Sequence, residues 1–196
     1  NTIQPSNELA QYGAEIAKAY IYNKNFEMAN KWLLFSENSL DDNKSLYKIN
    51  SSKLLYNLSK IEDSENLSYT FFDSLKLMNN NLIDQNNPNF IIQNEILYVI
   101  FSILNKENVN LFKVEKKISE ERLMPSLFVI DRIRQAIIDK NNPNLLLSII
   151  ASLDGKNWKE VHPEHFRLIL VGLKQYNNGK LLNQILLEVL KQSSII

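Results

Sequence analysis

The chain has 196 residues, 44% of them hydrophobic, with 22 basic and 22 acidic side chains and no cysteine. This length fits one large domain or two small ones, and it buries enough surface to fold without a metal or a disulfide. The lack of cysteine excludes disulfides, thiolate nucleophiles and cysteine-based metal sites. Zero net charge without a basic stripe is untypical of a nucleic-acid binder. Four glycines are too few for a glycine-rich nucleotide loop.

Apolar residues in the first half recur at spacings of three and four, which predicts amphipathic helices. In chain order the runs are Leu9, Tyr12, Ile16 and Tyr20; Ala29, Trp32, Leu33 and Ser36; Tyr47, Leu54, Leu55 and Leu58; Leu67, Phe71, Leu75 and Met78; and Ile96, Leu97, Ile100, Phe101 and Leu104. The last run lies within an apolar stretch at residues 90–104 that Gln93, Asn94 and Glu95 interrupt. It therefore predicts a buried helix and not a membrane span.

The second half continues the pattern after a less regular stretch. A weaker run there carries Leu111, Val114 and Ile118. Four stronger runs follow, and the members of the first of these are expected to share one helix face. They are Leu127, Ile130, Ile133, Ile137 and Ile138; Leu146, Ile149, Ile150 and Leu153; Phe166, Ile169, Leu170 and Leu173; and Leu182, Ile185, Leu186 and Val189. No run alternates with a period of two, so the sequence predicts an all-α fold of about ten helices.

Proline, asparagine and glycine mark where these helices start and end. All five prolines stand just before an apolar run, and proline suits the first helical turn because its missing N–H has no partner to lose there. Asn87 and Asn142 each precede a proline and are expected to be N-caps. Gly155 and Gly179 are expected between helices, where a left-handed backbone is useful.

The links between predicted helices are mostly short, at residues 22–25, 40–43, 60–64 and 177–179. Short links force successive helices to lie antiparallel. About ten helices are too many for one simple bundle, so we expect stacked antiparallel hairpins that form an α-solenoid.

The domain prediction follows from this pattern. We interpret residues 1–196 as a single α-helical repeat domain. Within it, the irregular stretch at residues 105–124 suggests a division into sub-blocks 1–104 and 125–196.

Residues 10–43 place small and large side chains in an order that suits two antiparallel helices in close contact. Ala17 and Ala29 are small where the helices would cross, and larger residues fill the space around them. The full set of packing positions is Ile16, Ala17, Tyr20, Phe26, Ala29, Leu33 and Ser36. This set resembles one repeat of the tetratricopeptide (TPR) or Sel1-like class. The resemblance implies a superhelical scaffold with a concave groove that binds a protein or peptide.

The chain departs from the TPR pattern in several places. Gly13 stands at the usual tryptophan position, and Asp41 stands at the closing proline position. In a second copy, Asn50 and Lys60 would replace a large apolar and an aromatic residue, and the period of about 34 residues is lost farther along the chain. The resemblance therefore covers one repeat.

His162, Glu164 and His165 form the one cluster that suggests enzyme chemistry. Two histidines three residues apart can bind one metal ion from a single helical turn, and Glu164 could act as a base. Pro163, however, predicts a helix start with His162 at the N-cap, where Glu164 favours the helix dipole. The His-Glu-x-x-His pattern of zinc proteases is absent. We interpret the cluster as structural and predict no catalytic residue, metal site or cofactor.

Trp158, Tyr22 and Arg132 are the residues that we select as candidate contacts with a partner. Trp158 lies in a polar link, where it either forms a surface contact or fills the end of a hairpin. Arg132 and Arg134 point away from each other on a helix, so they do not form one phosphate clamp. Asp131 and Arg134 have the spacing of an i,i+3 ion pair.

The predicted function is that of a non-catalytic scaffold or adaptor, which binds a protein or peptide through the solenoid groove. One alternative is a structural helical domain of a larger bacterial envelope or secreted protein without its own ligand. A second alternative is a metal-dependent enzyme that uses His162, Glu164 and His165. Because the chain begins at Asn1 without an initiator methionine, a signal peptide would already be removed. We expect a soluble protein of the cytoplasm or the periplasm, with no nucleic-acid partner.

Overall fold

The computed structural model describes residues 3–60, 69–80, 88–105, 122, 124–176 and 178–196. These residues contain nine α-helices and no strand, which confirms the prediction of an all-α fold. In chain order the helices are α1 Gly13–Tyr22, α2 Phe26–Ser39, α3 Asn43–Lys60, α4 Tyr69–Asn80, α5 Pro88–Leu104, α6 Leu127–Ile138, α7 Asn142–Leu153, α8 Pro163–Tyr176 and α9 Gly179–Gln192. Short 3-10 turns at Asn7–Tyr12 and Trp158–Glu160 precede α1 and α8.

Some sequence predictions lie outside the described residues. One of these predictions is the further helix expected from the weak run of Leu111, Val114 and Ile118. Leu67 and the expected cap Asn87 also lie outside the described residues. The helix count of about ten therefore stays a prediction.

Asparagine side chains cap three of the helices. The Oδ1 atoms of Asn25, Asn141 and Asn178 accept hydrogen bonds from backbone N–H groups three residues later, at 3.2, 3.2 and 3.1 Å. The expected cap Asn142 is instead the first residue of α7, so this prediction was wrong by one residue. The prediction for Gly179 was also wrong, because it begins α9. Both errors arise where two residues in succession, Asn-Asn or Asn-Gly, suit a helix start.

The α1–α2 hairpin is closed by a three-residue turn at residues 23–25 and packs tightly. Ala17 and Ala29 are fully buried, as the small residues of a helix crossing would be. Gly13 provides a second close approach, because a Cβ atom there would lie 1.7 Å from Ser36 Oγ. The segment before the first 3-10 turn contacts this hairpin, where Trp32 Nε1 donates a hydrogen bond to the Ile3 carbonyl at 3.1 Å.

The main core joins residues from α3 to the segment after α9, from Leu54 to Ile195. Helix α5 packs on α8, and α8 also contacts α6 and α7. Gly172 lets α8 approach α6 and α7 closely, because a Cβ atom there would lie 3.0 Å from Leu145 of α7 and 3.4 Å from Ile137 of α6. One continuous core therefore includes residues of both predicted sub-blocks, and the α6–α7 hairpin contributes Ile133, Ala136, Leu145 and Ile149 to it.

The segment after α9 returns to the body of the molecule. The side chain of Gln93 donates hydrogen bonds to the carbonyls of Ser193 and Ser194, at 3.0 and 3.1 Å. Ile195 is almost fully buried, and Ile196 packs near Leu55 of α3. This segment thus connects the first helices with the last.

None of the helices in the described ranges is long and apolar enough to cross a membrane. Helix α5, the most apolar stretch noted in the sequence, buries Leu97, Ile100 and Phe101 in the main core. Its hydrophobicity is therefore explained by packing within the protein.

Candidate functional site

The histidine cluster at the start of α8 is divided between two roles. Pro163 is the first residue of α8, as predicted. His162 Nδ1 accepts a hydrogen bond from the Glu164 N–H at 3.2 Å, so His162 satisfies a free amide of the first turn. His165 points inward and is 3% exposed. The two imidazoles therefore have different partners.

His165 contacts a serine of the neighbouring helix. Its Nε2 atom lies 2.8 Å from Ser152 Oγ on α7, and Ser152 Oγ donates to the Ile149 carbonyl at 2.7 Å. The serine hydroxyl proton is thus directed to a carbonyl, and Nε2 is left to donate to the oxygen. This is the reverse of the arrangement in which a histidine activates a serine nucleophile. The contact links α7 to α8 in the core.

Burial lowers the pKa of His165 to about 4, and the charges of Lys156 and His162 act in the same direction. A buried imidazolium would lack the solvation that water gives it, so the neutral form is favoured. Across the residues that the structure describes, there is no group of three or more His, Cys, Asp or Glu side chains that could hold a metal ion.

The structure does not bring Trp158, Tyr22 and Arg132 together in one site. Trp158 is half-buried and packs edge-on against Phe166, with ring centroids 5.6 Å apart, so it fills the end of a hairpin. Tyr22 is 62% exposed at the end of α1, where Lys191 Nζ lies 5.6 Å from its ring centroid. Arg132 lies on the exposed side of α6.

The TPR-like positions all lie in or beside the packing of the first hairpin. Ala17, Ala29, Leu33 and Ser36 are buried, whereas the three larger side chains are half-buried. Those three are Ile16, Tyr20 and Phe26. Gly13, which departs from the TPR pattern, lies at a close approach of the two helices.

An ion pair that the sequence did not predict lies in a narrow cleft between α5 and α8. Arg122 Nη2 and Glu95 Oε2 are 2.5 Å apart, and their side chains are only 14% and 20% exposed. Trp158, Val161 and Phe166 are among the apolar residues that line this cleft. A charge within the apolar run of α5 is the signal from which a partner for Glu95 could have been expected. The identity of that partner, 27 residues away, left no signal in the sequence.

A second depression, of about 430 Å³, is open to solvent at the end of the α1–α2 hairpin. Its lining is largely polar: Asn7, Glu8, Ala10, Gln11, Ser39 and Leu40. It lacks the convergent apolar walls of a typical small-molecule site.

Among the residues that the structure describes, the largest group of exposed apolar side chains lies on the α6–α7 hairpin. Five residues there are 65–77% exposed, and we call them the α6–α7 apolar face: Leu127, Phe128, Ile138, Leu147 and Ile150. The prediction that Leu127 and Ile138 share a face with the buried Ile130 and Ile133 was wrong. The apolar arc of α6 is wider than its contact with the core, so its edge is left in solvent.

Polar residues lie among the side chains of the α6–α7 apolar face. The guanidinium of Arg132 lies 5.6 Å from the ring centroid of Phe128, in a cation–π contact. Asp131 Oδ1 and Arg134 Nη1 are 3.9 Å apart, which confirms the predicted i,i+3 ion pair. Arg132, selected from sequence as a candidate contact, is therefore a neighbour of this face.

No family model, curated protein or solved structure matches the chain. The TPR resemblance therefore stays a prediction, and the choice of a site depends on the geometry above.

Proposed function

We propose that the protein is a non-catalytic interaction module that binds another protein through the α6–α7 apolar face. The observation that supports this is the clustering of Leu127, Phe128, Ile138, Leu147 and Ile150 on one hairpin. Single exposed apolar residues are normal, whereas several large ones on one hairpin favour a protein-binding surface. The proposal includes a scaffold of stacked hairpins related to the TPR class.

The clusters of polar residues favour a structural role over a catalytic one. The His165 imidazole is buried against Ser152, whose hydroxyl bonds a carbonyl. Glu95 and Arg122 pair with each other in a narrow cleft. By contrast, the side chains of the α6–α7 apolar face do not stabilise the fold by burial. Burying one large aliphatic side chain would stabilise the protein by about 1.5–3 kcal/mol, and these residues leave that stabilisation unused.

Site-specific photo-cross-linking in cells of the source organism tests the proposal. A benzoylphenylalanine introduced at Leu147 should yield a discrete protein adduct, identified by mass spectrometry. The matched control is the same residue at Leu34, an aliphatic position of α2 that is 49% exposed but lies on the other hairpin. Diffuse adducts of equal intensity at the two positions would contradict the proposal.

A further inference from the structure

Four exposed residues of α6 form a stripe along one side of the helix: Leu127, Asp131, Arg134 and Ile138. Their spacings of four, three and four place them within about 60° of one another around the helix axis. Leu127 and Ile138 are 77% and 71% exposed. The side chains of Asp131 and Arg134 are 73% and 64% exposed. We call these four residues the α6 stripe.

The α6 stripe has the same spacing when it is read in either direction. An antiparallel copy of α6, centred between Arg132 and Ile133, would place Leu127 opposite Ile138 of the other copy and Asp131 opposite its Arg134. A twofold axis makes each of these contacts twice, as an isologous interface requires. The stripe is thus complementary to itself in both apolar and charged positions.

We propose that the partner of the α6–α7 apolar face is a second copy of this chain, bound through antiparallel packing of the α6 stripe. This inference rests on the proposed function and specifies the partner. The charges determine the orientation, because a parallel arrangement would bring Asp131 near Asp131 and Arg134 near Arg134. The acid and base within one copy are 3.9 Å apart and solvated, so each keeps capacity for a partner across the axis.

The exposed area agrees with a dimer of modest affinity. Only Leu127 and Ile138 of the α6–α7 apolar face lie on the α6 stripe, so the apolar area at the twofold axis is small. A standard interface buries about 800 Å² per partner, to which polar and backbone atoms also contribute. Dimerisation in the micromolar range is the expected result.

Sedimentation velocity of the purified chain, from about 1 to 500 μM, tests this inference. The wild type should shift from monomer to dimer within this range. Asp131→Arg and Arg134→Asp should each weaken dimerisation by about tenfold or more, because each brings like charges together twice across the axis. Circular dichroism should show unchanged helix content, since both side chains are exposed.

The decisive sample is an equimolar mixture of the Asp131→Arg and Arg134→Asp chains. One chain then carries two arginines on the stripe and the other carries two aspartates, so the mixture should dimerise about as tightly as the wild type, although each chain alone is weakened. The ion pair within each chain is lost in both variants, so recovery in the mixture reports only on contacts between chains. A mixture that dimerises no more tightly than the single variants would overturn the inference, as would single variants that dimerise like the wild type.

A wild type that stays monomeric at all concentrations would also overturn the inference. The cross-linking experiment then shows whether the proposed function fails as well. If Leu147→benzoylphenylalanine then cross-links to a different protein, the α6–α7 apolar face is a binding surface and only the choice of partner is wrong. If it yields no discrete adduct, both proposals fail. Cross-linking between two copies, together with charge-dependent dimerisation, supports both.

Discussion

The α1–α2 and α6–α7 hairpins share the same turn and differ in what covers their outer surfaces. Each turn has a lysine in the left-handed region, Lys24 with φ 57° and Lys140 with φ 53°, followed by an asparagine that caps the second helix. The two caps accept hydrogen bonds of 3.2 Å in both hairpins. The local chemistry of turn and cap is therefore common to the two regions.

The two hairpins differ in how much apolar surface they expose to solvent. On α1–α2, the large Trp32 is fully buried, and the segment at Ile3 lies over it. The large apolar side chains exposed among the described residues of that hairpin are Leu34 and Tyr22. The α6–α7 hairpin exposes four aliphatic residues and Phe128. The α6–α7 hairpin thus supplies residues to the core and also leaves more large apolar side chains in solvent than the α1–α2 hairpin does.

The largest expected effect comes from truncating one aromatic residue in each hairpin. Trp32→Ala should lower the free energy of unfolding by about 3–5 kcal/mol, because it leaves a large cavity where the fully buried ring was. Phe128→Ala should change it by less than about 0.5 kcal/mol, since the ring is mostly in solvent. Urea denaturation of both variants measures the difference. Equal losses would show that the exposed ring contributes to folding.

An effect of intermediate size comes from the contact of α7 with α8. The pKa of His165 is lowered to about 4 in the folded protein, so the unfolded chain binds a proton there at a higher pH than the folded chain does. Stability from this residue is complete above about pH 6.5 and falls as the pH drops towards 4, by up to roughly 3 kcal/mol.

Denaturant titrations at several pH values between 4 and 7 measure this loss. His165→Gln is the matched control, because it removes the titrating group and should flatten the slope relative to the wild type. Carboxyl groups contribute equally to both curves, so only the difference between them reports on His165. Identical slopes would contradict the prediction.

The smallest effect concerns the shared turns and should be the same in both hairpins. Asn25→Ala and Asn141→Ala should each cost about 1 kcal/mol, because each leaves a first-turn N–H without its cap. Asn142→Ala is the control, since Asn142 is the first residue of α7 and the capping bond comes from Asn141. Thermal unfolding of the three variants measures the costs. A larger loss for Asn142→Ala would reverse the assignment of the cap.

Periodicity in the sequence was sufficient to predict helices but not the boundaries of the core. Spacings of three and four identify Ile130 and Ile133 as buried residues, and they are. The same pattern included Leu127 and Ile138, because a helix with apolar residues on two sides looks like one with a wide core face. The side of α6 that is buried is set by where α8 packs, and α8 approaches Ile137 of α6 closely at Gly172.

Close approaches and distant ion pairs were also beyond the sequence. Gly13 departed from the TPR pattern and gave no sign of its contact with Ser36, because that contact depends on how α1 and α2 cross. The partner of Glu95 was hidden for a similar reason, since tertiary packing alone brings Arg122 beside α5. By contrast, the pair of Asp131 and Arg134 was predictable because helical geometry fixes both residues.

The segment after α9 has a consequence for how the chain folds as it is synthesised. Ile195 belongs to the same core as Leu54, and Gln93 bonds the carbonyls just before it. Early hairpins such as α1–α2 can form as they leave the ribosome, since their contacts are local. The main core cannot be complete until residue 195 has emerged, so the apolar surface that Ile195 covers stays open to chaperones until then.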